Sequence, residues 1–180
     1  MGRNVEIKAR VDDRDYLINK INKISTKPVA ILEQRDSFFQ CPVGRLKLRQ
    51  FGTGEAELIY YQRADQQGPK LSSYQRCPVS HADTLRATLS AAWGTRGEVR
   101  KIRHLYWCGQ TRIHVDQVEG LGDFVEFEVV LDHQQSAEDG QRIAAELLEQ
   151  LGIAKEQLIE GAYIDLLNAP AGHPSHSPAR

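Results

Sequence analysis

The sequence predicts an α+β protein dominated by an antiparallel β-barrel with helices on its outside, and three observations carry that prediction. Residues 3–10 (Arg-Asn-Val-Glu-Ile-Lys-Ala-Arg) alternate at the strand period of two, with Asn4, Glu6, Lys8 and Arg10 on one face and Val5, Ile7, Ala9 and Val11 on the other. At least four later segments repeat that alternation with mostly charged residues on the polar face. Short turns join three successive strands in the second half, which implies antiparallel neighbours.

Composition bounds the function classes. A chain of 180 residues suits one domain, or one domain with a helical appendage. With 23 Lys plus Arg against 24 Asp plus Glu, the net charge is -1. No bulk basic field marks a nucleic-acid binder, so any anion site must be local. Cys41, Cys77 and Cys108 are odd in number, widely spaced and lack a C-x-x-C pair, against a disulfide framework or structural zinc. Reduced thiols of a cytoplasmic protein are the simplest reading. No early apolar run resembles a signal peptide, and no stretch of 18 apolar residues offers a bilayer span, so no membrane partner is expected. No Ser-His-Asp spacing, Walker loop or Rossmann glycine pattern supports a rival enzyme class.

Taken in order, the first strand ends at Asp12-Asp13, either of which suits a helix cap, with a helix over about 13–24 burying Leu17, Ile18, Ile21 and Ile24. Pro28 closes that unit. Strands follow at 30–39 and 45–51 around a turn at 42–44, then 57–63, a polar loop at 64–70 and a strand near 71–78. Ser80 is the expected cap of a helix over 81–93 with Leu85, Leu89 and Ala92 inward, broken by Gly94 to Gly97. Strands at 99–107, 111–118 and 124–131 come next. Ser136 caps a third helix to 151, residues 155–167 supply one or two further helical turns, and 169–180, rich in Pro, Ser, Gly and His, reads as a disordered tail. Residues 1–168 are thus the expected domain.

Charges share faces on these strands. Arg45, Lys47 and Arg49 alternate with Leu46 and Leu48; Lys101 and Arg103 flank Ile102; Arg112, His114 and Asp116 alternate with Ile113 and Val115; Glu126 and Glu128 alternate with Val125, Phe127 and Val129. Periodicity leaves two arrangements open. In one, the polar faces are solvated and laced with cross-strand ion pairs. In the other, helices cover the apolar faces and the charged faces point into the barrel. An interior holding Lys8, Arg10, Arg45, Lys47, Arg49, Lys101, Arg103 and Arg112 is intolerable when dry and unpaired, because each uncompensated buried charge costs several kcal/mol. Glu6, Asp116, Glu126 and Glu128 cancel only part of it. The cation excess calls for water or a highly charged anion, and a chain of phosphates fits both the sign and the donor geometry of Arg. The remaining carboxylates repel phosphate unless a divalent cation intervenes, with Mg2+ or Mn2+ the natural choice. Tyr60, Tyr61, Tyr106 and Trp107 read as core and wall. His114 is either a phosphate donor or a structural imidazole held by a carboxylate.

These residues resemble the CYTH superfamily, the class IV adenylyl cyclases and thiamine triphosphatases, also called triphosphate tunnel metalloenzymes. Val5-Glu6-Ile7-Lys8 is similar to the E-x-E-x-K signature, Gly44 to Arg49 to its R-x-R strand, Thr111 to Asp116 to its R-x-x-x-D strand, and Gly120 to Glu128 to its late E-x-E strand. Ala162 to Leu167 resembles its closing helix. The resemblance implies a tunnel of eight antiparallel strands that binds a triphosphate with one or two divalent cations. It implies that Lys8, Lys47, Arg49, Lys101, Arg103 and Arg112 contact phosphates, that Glu6, Lys8 and Arg112 act in catalysis, and that Glu6, Glu126 and Glu128 hold metal. Asp116 is then either a further metal ligand or an orienter of nearby cations. Two departures stand out. The first signature Glu is Asn4, an amide that can ligate Mg2+ but brings no charge. The basic residue of the strand after R-x-R is also missing, since Ile59 and Tyr61 stand there and Arg63 is the nearest substitute.

The expected function is metal-dependent hydrolysis of tripolyphosphate, a nucleoside triphosphate or thiamine triphosphate, by a monomer or homodimer. The alternatives are a class IV adenylyl cyclase and a non-catalytic polyphosphate- or nucleotide-binding module, the latter favoured by Asn4.

Overall fold

Eight antiparallel strands close on themselves in the computed structural model of this chain, which describes residues 2–63 and 68–169. The strands are β1 (Gly2–Arg10), β2 (Ala30–Phe39), β3 (Arg45–Phe51), β4 (Ala56–Arg63), β5 (Lys70–Pro78), β6 (Thr95–Cys108), β7 (Thr111–Val118) and β8 (Gly122–Val130). Around the barrel they run β1-β5-β4-β3-β2-β6-β7-β8. β1 completes the ring between β5 and β8, with Glu6 opposite Glu128 and Lys8 opposite Glu126. The expected tail, and residues 64–67 of the expected loop, lie outside the described residues.

The barrel is inside-out: its apolar faces point away from its axis and are covered by helices. α1 (Arg14–Asn22) starts where the Asp13 carboxylate accepts a bond from the Tyr16 amide at 2.9 Å. α3 (Ala137–Leu151) starts with a reciprocal Ser136–Asp139 capping box. Leu17 and Ile21 of α1, with Ala144, Leu147 and Leu151 of α3, bury Val5, Ile7, Val115, Phe127 and Val129. α3 seats closely because Gly140 has no side chain; a Cβ there would stand 2.5 Å from Val5 Cγ2 and 2.8 Å from Leu131 Cδ2. α2 (Ala82–Trp93) lays Leu85 and Leu89 on Phe39, Leu46 and Leu48. Its cap position is His81 rather than the expected Ser80, with no side-chain bond to the helix.

After a 3-10 turn at Lys155–Gln157, the short α4 (Tyr163–Asn168) packs Tyr163 and Ile164 against Phe38, Val99 and Phe124. Phe38 and Val99 face the barrel interior, so α4 lies across one end of the barrel. Of the two glycines expected to break the chain after α2, Gly94 ends the helix and Gly97 serves this contact. β6 begins at Thr95, and Gly97 (φ +143°) sits where a Cβ would be 2.7 Å from Ile164 Cδ1. Gly97 thus continues the strand while making room for α4. Among the described residues no helix is long and apolar enough to cross a membrane.

Candidate functional site

Each strand turns alternate residues inward, and these line a cavity of about 190 Å3. Among the described residues the lining carries eight cationic side chains (Lys8, Lys47, Arg49, Arg63, Arg76, Lys101, Arg103 and Arg112) against five carboxylates (Glu6, Asp36, Glu57, Glu126 and Glu128). The charged faces therefore point into the barrel, leaving an excess of three positive charges.

Three anchored groups organise the wall. In the first, Asp36 (1% exposed) accepts two bonds from Arg49, each 2.7 Å, and bonds from Lys47 at 3.0 Å and Lys101 at 3.4 Å. Burial alone would raise the Asp36 pKa, but Arg49, Lys101 and Lys47 outweigh it and hold the carboxyl well below the usual range. Burial also dominates at Lys101, pushing its ammonium down to about 7 against the pull of Asp36.

In the second group, Arg103 forks onto Asp116 at 2.7 and 2.6 Å and reaches Glu126 at 3.0 Å. Asp116, fully buried, also accepts the Tyr163 hydroxyl at 2.8 Å. Its pKa falls because Arg103 and Lys101 outweigh the effect of burial. The Tyr163 ring lies under the Lys8 ammonium at 3.9 Å and near that of Lys101 at 5.3 Å. The Lys8 ammonium is 3.6 Å from Glu126, while burial pulls its pKa down.

The third group is acidic. Arg112 binds Glu128 at 2.7 Å, and Arg63 binds Glu6 at 3.2 Å. The Glu6 pKa is raised, first by burial and then by Glu126, with Arg63 opposing. Lys8 and Arg103 outweigh burial at Glu126, and His114 and Arg112 do so at Glu128, so both of those pKa values fall. Beside them stands His114, 4% exposed, with its Nδ1 at 3.6 Å from Glu126 Oε2 and 3.8 Å from Glu128 Oε1. Burial lowers the pKa of this imidazole. The ligand atoms of His114, Glu126 and Glu128 all lie within 4.8 Å of one another. Asn4 Oδ1 and His114 Nδ1 are buried without hydrogen-bond partners, and both residues line the cavity. Carboxylates together with unpartnered oxygen and nitrogen donors fit a divalent cation with mainly oxygen ligands.

Eleven residues picked out from the sequence line the cavity together: Glu6, Lys8, Lys47, Arg49, Arg63, Lys101, Arg103, Arg112, His114, Glu126 and Glu128. Three others lie outside the lining. Arg10 is exposed at the end of β1, its guanidinium 5.1 Å from the Phe124 ring. Arg45 bonds Asp165 of α4 at 3.0 Å, as does Arg96 at 3.1 Å, so it fastens the closing helix. Asp116 has both oxygens engaged by Arg103 and Tyr163, the arrangement of an orienter rather than of a free metal ligand.

Sequence reasoning missed Asp36, Tyr163 and the paired Glu57 and Arg76. β2 is polar on both faces around Asp36, with Gln34 and Asp36 inward and Arg35 and Ser37 outward, so alternation gave no contrast there. In the sequence Tyr163 stands out only as part of a closing helix.

Comparison with known proteins agrees with this architecture. Residues 2–163 match the family model described as the CYTH domain. A Methanocaldococcus jannaschii protein named as a candidate adenylate cyclase is 25% identical over 173 residues, covering 90% of this chain and 97% of that protein. Adenylate cyclase CyaB of Aeromonas hydrophila is 25% identical over 170 residues, covering 88% and 85%. The solved structure of the PH1012 protein of Pyrococcus horikoshii superposes with a TM-score of 0.80 at 25% identity, covering 92% of this chain and 99% of that one.

Proposed function

The chain belongs to the CYTH domain family, and on that premise we propose that its barrel takes in the triphosphate end of a small molecule and hydrolyses it. The observation that carries this reading is the excess of three positive charges in a cavity capped at one end by α4. A compact, multiply charged anion offsets that excess better than water does.

In this reading Lys8, Lys47, Arg49, Lys101, Arg103 and Arg112 bind phosphate oxygens through charge-assisted bonds, with Arg63 and His114 at the edge of the set. Asp36 and Asp116 hold four of those cations in place beforehand, so little reorganisation remains when charge develops. Glu6, with its raised pKa, takes a proton from the attacking water, and Arg112 neutralises the departing phosphate. Mg2+ or Mn2+, held by Glu6, Glu126 and Glu128, supplies further neutralisation of the phosphates when bound. The free thiols of Cys41, Cys77 and Cys108 support a cytoplasmic setting.

The test is product analysis of the purified protein with tripolyphosphate and with ATP, each with Mg2+ or Mn2+. The expected result is phosphate release, with tripolyphosphate cleaved at least as efficiently as ATP. The names of the two 25% identical relatives favour a second reading, in which ATP gives cyclic AMP and pyrophosphate. That reaction needs the ribose 3'-hydroxyl held in line, and hence a grip on the nucleoside. Cyclic AMP and pyrophosphate as main products, with tripolyphosphate inert, would establish it instead.

A further inference from the structure

We propose that His114 is itself a ligand of the divalent cation, sharing it with Glu126 and Glu128, and that its nitrogen makes the site choose first-row transition ions such as Mn2+ over Mg2+. The inference rests on the metal reading above and adds to it a donor and a selectivity.

Three observations meet here. His114 Nδ1 is buried, lines the cavity and has no hydrogen-bond partner. A buried imidazole nitrogen left unpaired costs free energy unless something occupies it. Its distances to Glu126 Oε2 and Glu128 Oε1, 3.6 and 3.8 Å, are too long for hydrogen bonds. Both are shorter than the roughly 4.2 Å that two metal–ligand bonds of about 2.1 Å can span, so an ion can bridge His114 to either carboxylate, and all three ligand atoms lie within 4.8 Å of one another. The carboxylates are aimed rather than loose. Glu128 gives its Oε2 to Arg112 and keeps its Oε1 toward His114, whereas on Glu126 the Oε2 that faces His114 also accepts from Arg103, which fixes how each presents its lone pairs.

The position of Asn4 strengthens the case. An amide stands inward on β1 and brings no charge, while the side chain that gathers with the two β8 carboxylates offers a nitrogen, His114. Mg2+ binds all-oxygen sets and parts reluctantly with its waters, whereas imidazole affinity rises along the first transition row. Replacing a carboxylate by an amide while offering an imidazole therefore weakens Mg2+ more than Mn2+ or Co2+.

Calorimetric titration of the chelated, full-length protein with Mn2+ alone and with Mg2+ alone should show the tighter constant for Mn2+. Pulsed electron paramagnetic resonance of the Mn2+-loaded protein should show nitrogen coupling. In His114→Gln that coupling should vanish and the Mn2+ over Mg2+ preference should shrink by about tenfold or more, the scale on which even outer-shell partners act. Anomalous diffraction from Mn2+-soaked wild-type crystals gives the same answer without a variant, expected as a peak within bonding distance of His114 Nδ1. Mn2+ bound at Glu126 and Glu128 without nitrogen coupling, or a peak away from His114, overturns this inference and leaves the proposed function standing. Mg2+ bound at least as tightly as Mn2+ also overturns this inference alone, whereas binding of neither ion overturns both.

Discussion

Replacing Asp36 with asparagine keeps the shape of the side chain and removes the one charge on which Arg49, Lys47 and Lys101 converge. Removing one partner of a buried ion pair costs about 3–5 kcal/mol, because the other partner stays buried without compensation. Coulomb's law gives the same scale, about 4 kcal/mol for unit charges 4 Å apart at an effective dielectric near 20. Lys101 limits the damage by shedding its proton, since its pKa already sits at about 7. Arg49 has no such escape. For a chain of this size each kcal/mol moves the melting temperature by about 2–4 °C, so Asp36→Asn should melt about 10 °C or more below the wild type. Tripolyphosphate should reverse much of that loss. It brings negative charge to the same three cations, and in the variant it meets no competing carboxylate. At a hundred times its dissociation constant a ligand adds about 2.7 kcal/mol, and the variant's tighter binding makes its gain the larger at equal concentration. The assay is calorimetric melting of both proteins with and without tripolyphosphate. A variant that melts within 2 °C of the wild type, or gains less from tripolyphosphate than the wild type does, would refute the view that Asp36 stands where the anion's charge acts.

Three further outcomes follow from the same geometry. Tyr163→Phe removes the hydroxyl bonded to Asp116 and should cost about 1–3 kcal/mol in urea unfolding; because the ring under Lys8 remains, tripolyphosphate affinity should change less than twofold, whereas Tyr163→Leu should weaken it severalfold in a calorimetric titration. For Lys101 the folded pKa lies below the unfolded one, so its penalty on folding is full below about pH 7 and is relieved as pH rises toward 10.5; a bound polyanion favours the charged form, so binding should take up a proton and weaken as pH rises through that window, as read from binding heats in buffers of different ionisation enthalpy. Gly140→Ala should lift α3 off β1 and cost about 1–3 kcal/mol, measured by chemical denaturation; an unchanged midpoint would mean that Val5 and Leu131 yield freely.

How much of this was legible in the sequence depended on contrast between faces. Strands 30–39, 45–51 and 111–118 coincide with the observed ones, and in the latter two a charged face alternates with an apolar one. Alternation alone cannot say how far along the barrel a residue sits. Arg10 shares the face of Lys8, and Arg45 that of Lys47, yet both stand at strand ends, one in solvent and one against α4. Nor does periodicity tell one inward carboxylate's partners from another's. Asp116 and Glu126 alternate identically with apolar neighbours and both accept from Arg103, and only their further contacts separate them, the Tyr163 hydroxyl on Asp116 and the Lys8 ammonium beside Glu126. Glycine signals were ambiguous for a similar reason: Gly97 marks a chain break in sequence, but in space it marks the close approach of α4.

The closure of the ring by β1 bears on how the chain reaches its native state. β1 pairs with β5 and β8, so Glu6 waits for Lys70 on one side and for Glu128 on the other. During synthesis, Val5, Ile7 and Ala9 stay without their final covering until β8, and then α3, have left the ribosome. Contacts so distant in sequence make closure entropically slow, with folding expected in milliseconds to seconds rather than microseconds. Until then the first strand is an open hydrogen-bonding edge with an apolar face, the feature most prone to pairing with the wrong chain. A helper that binds short, alternating apolar segments of a nascent chain would therefore protect this protein at the one stage when its cation-lined interior does not yet exist.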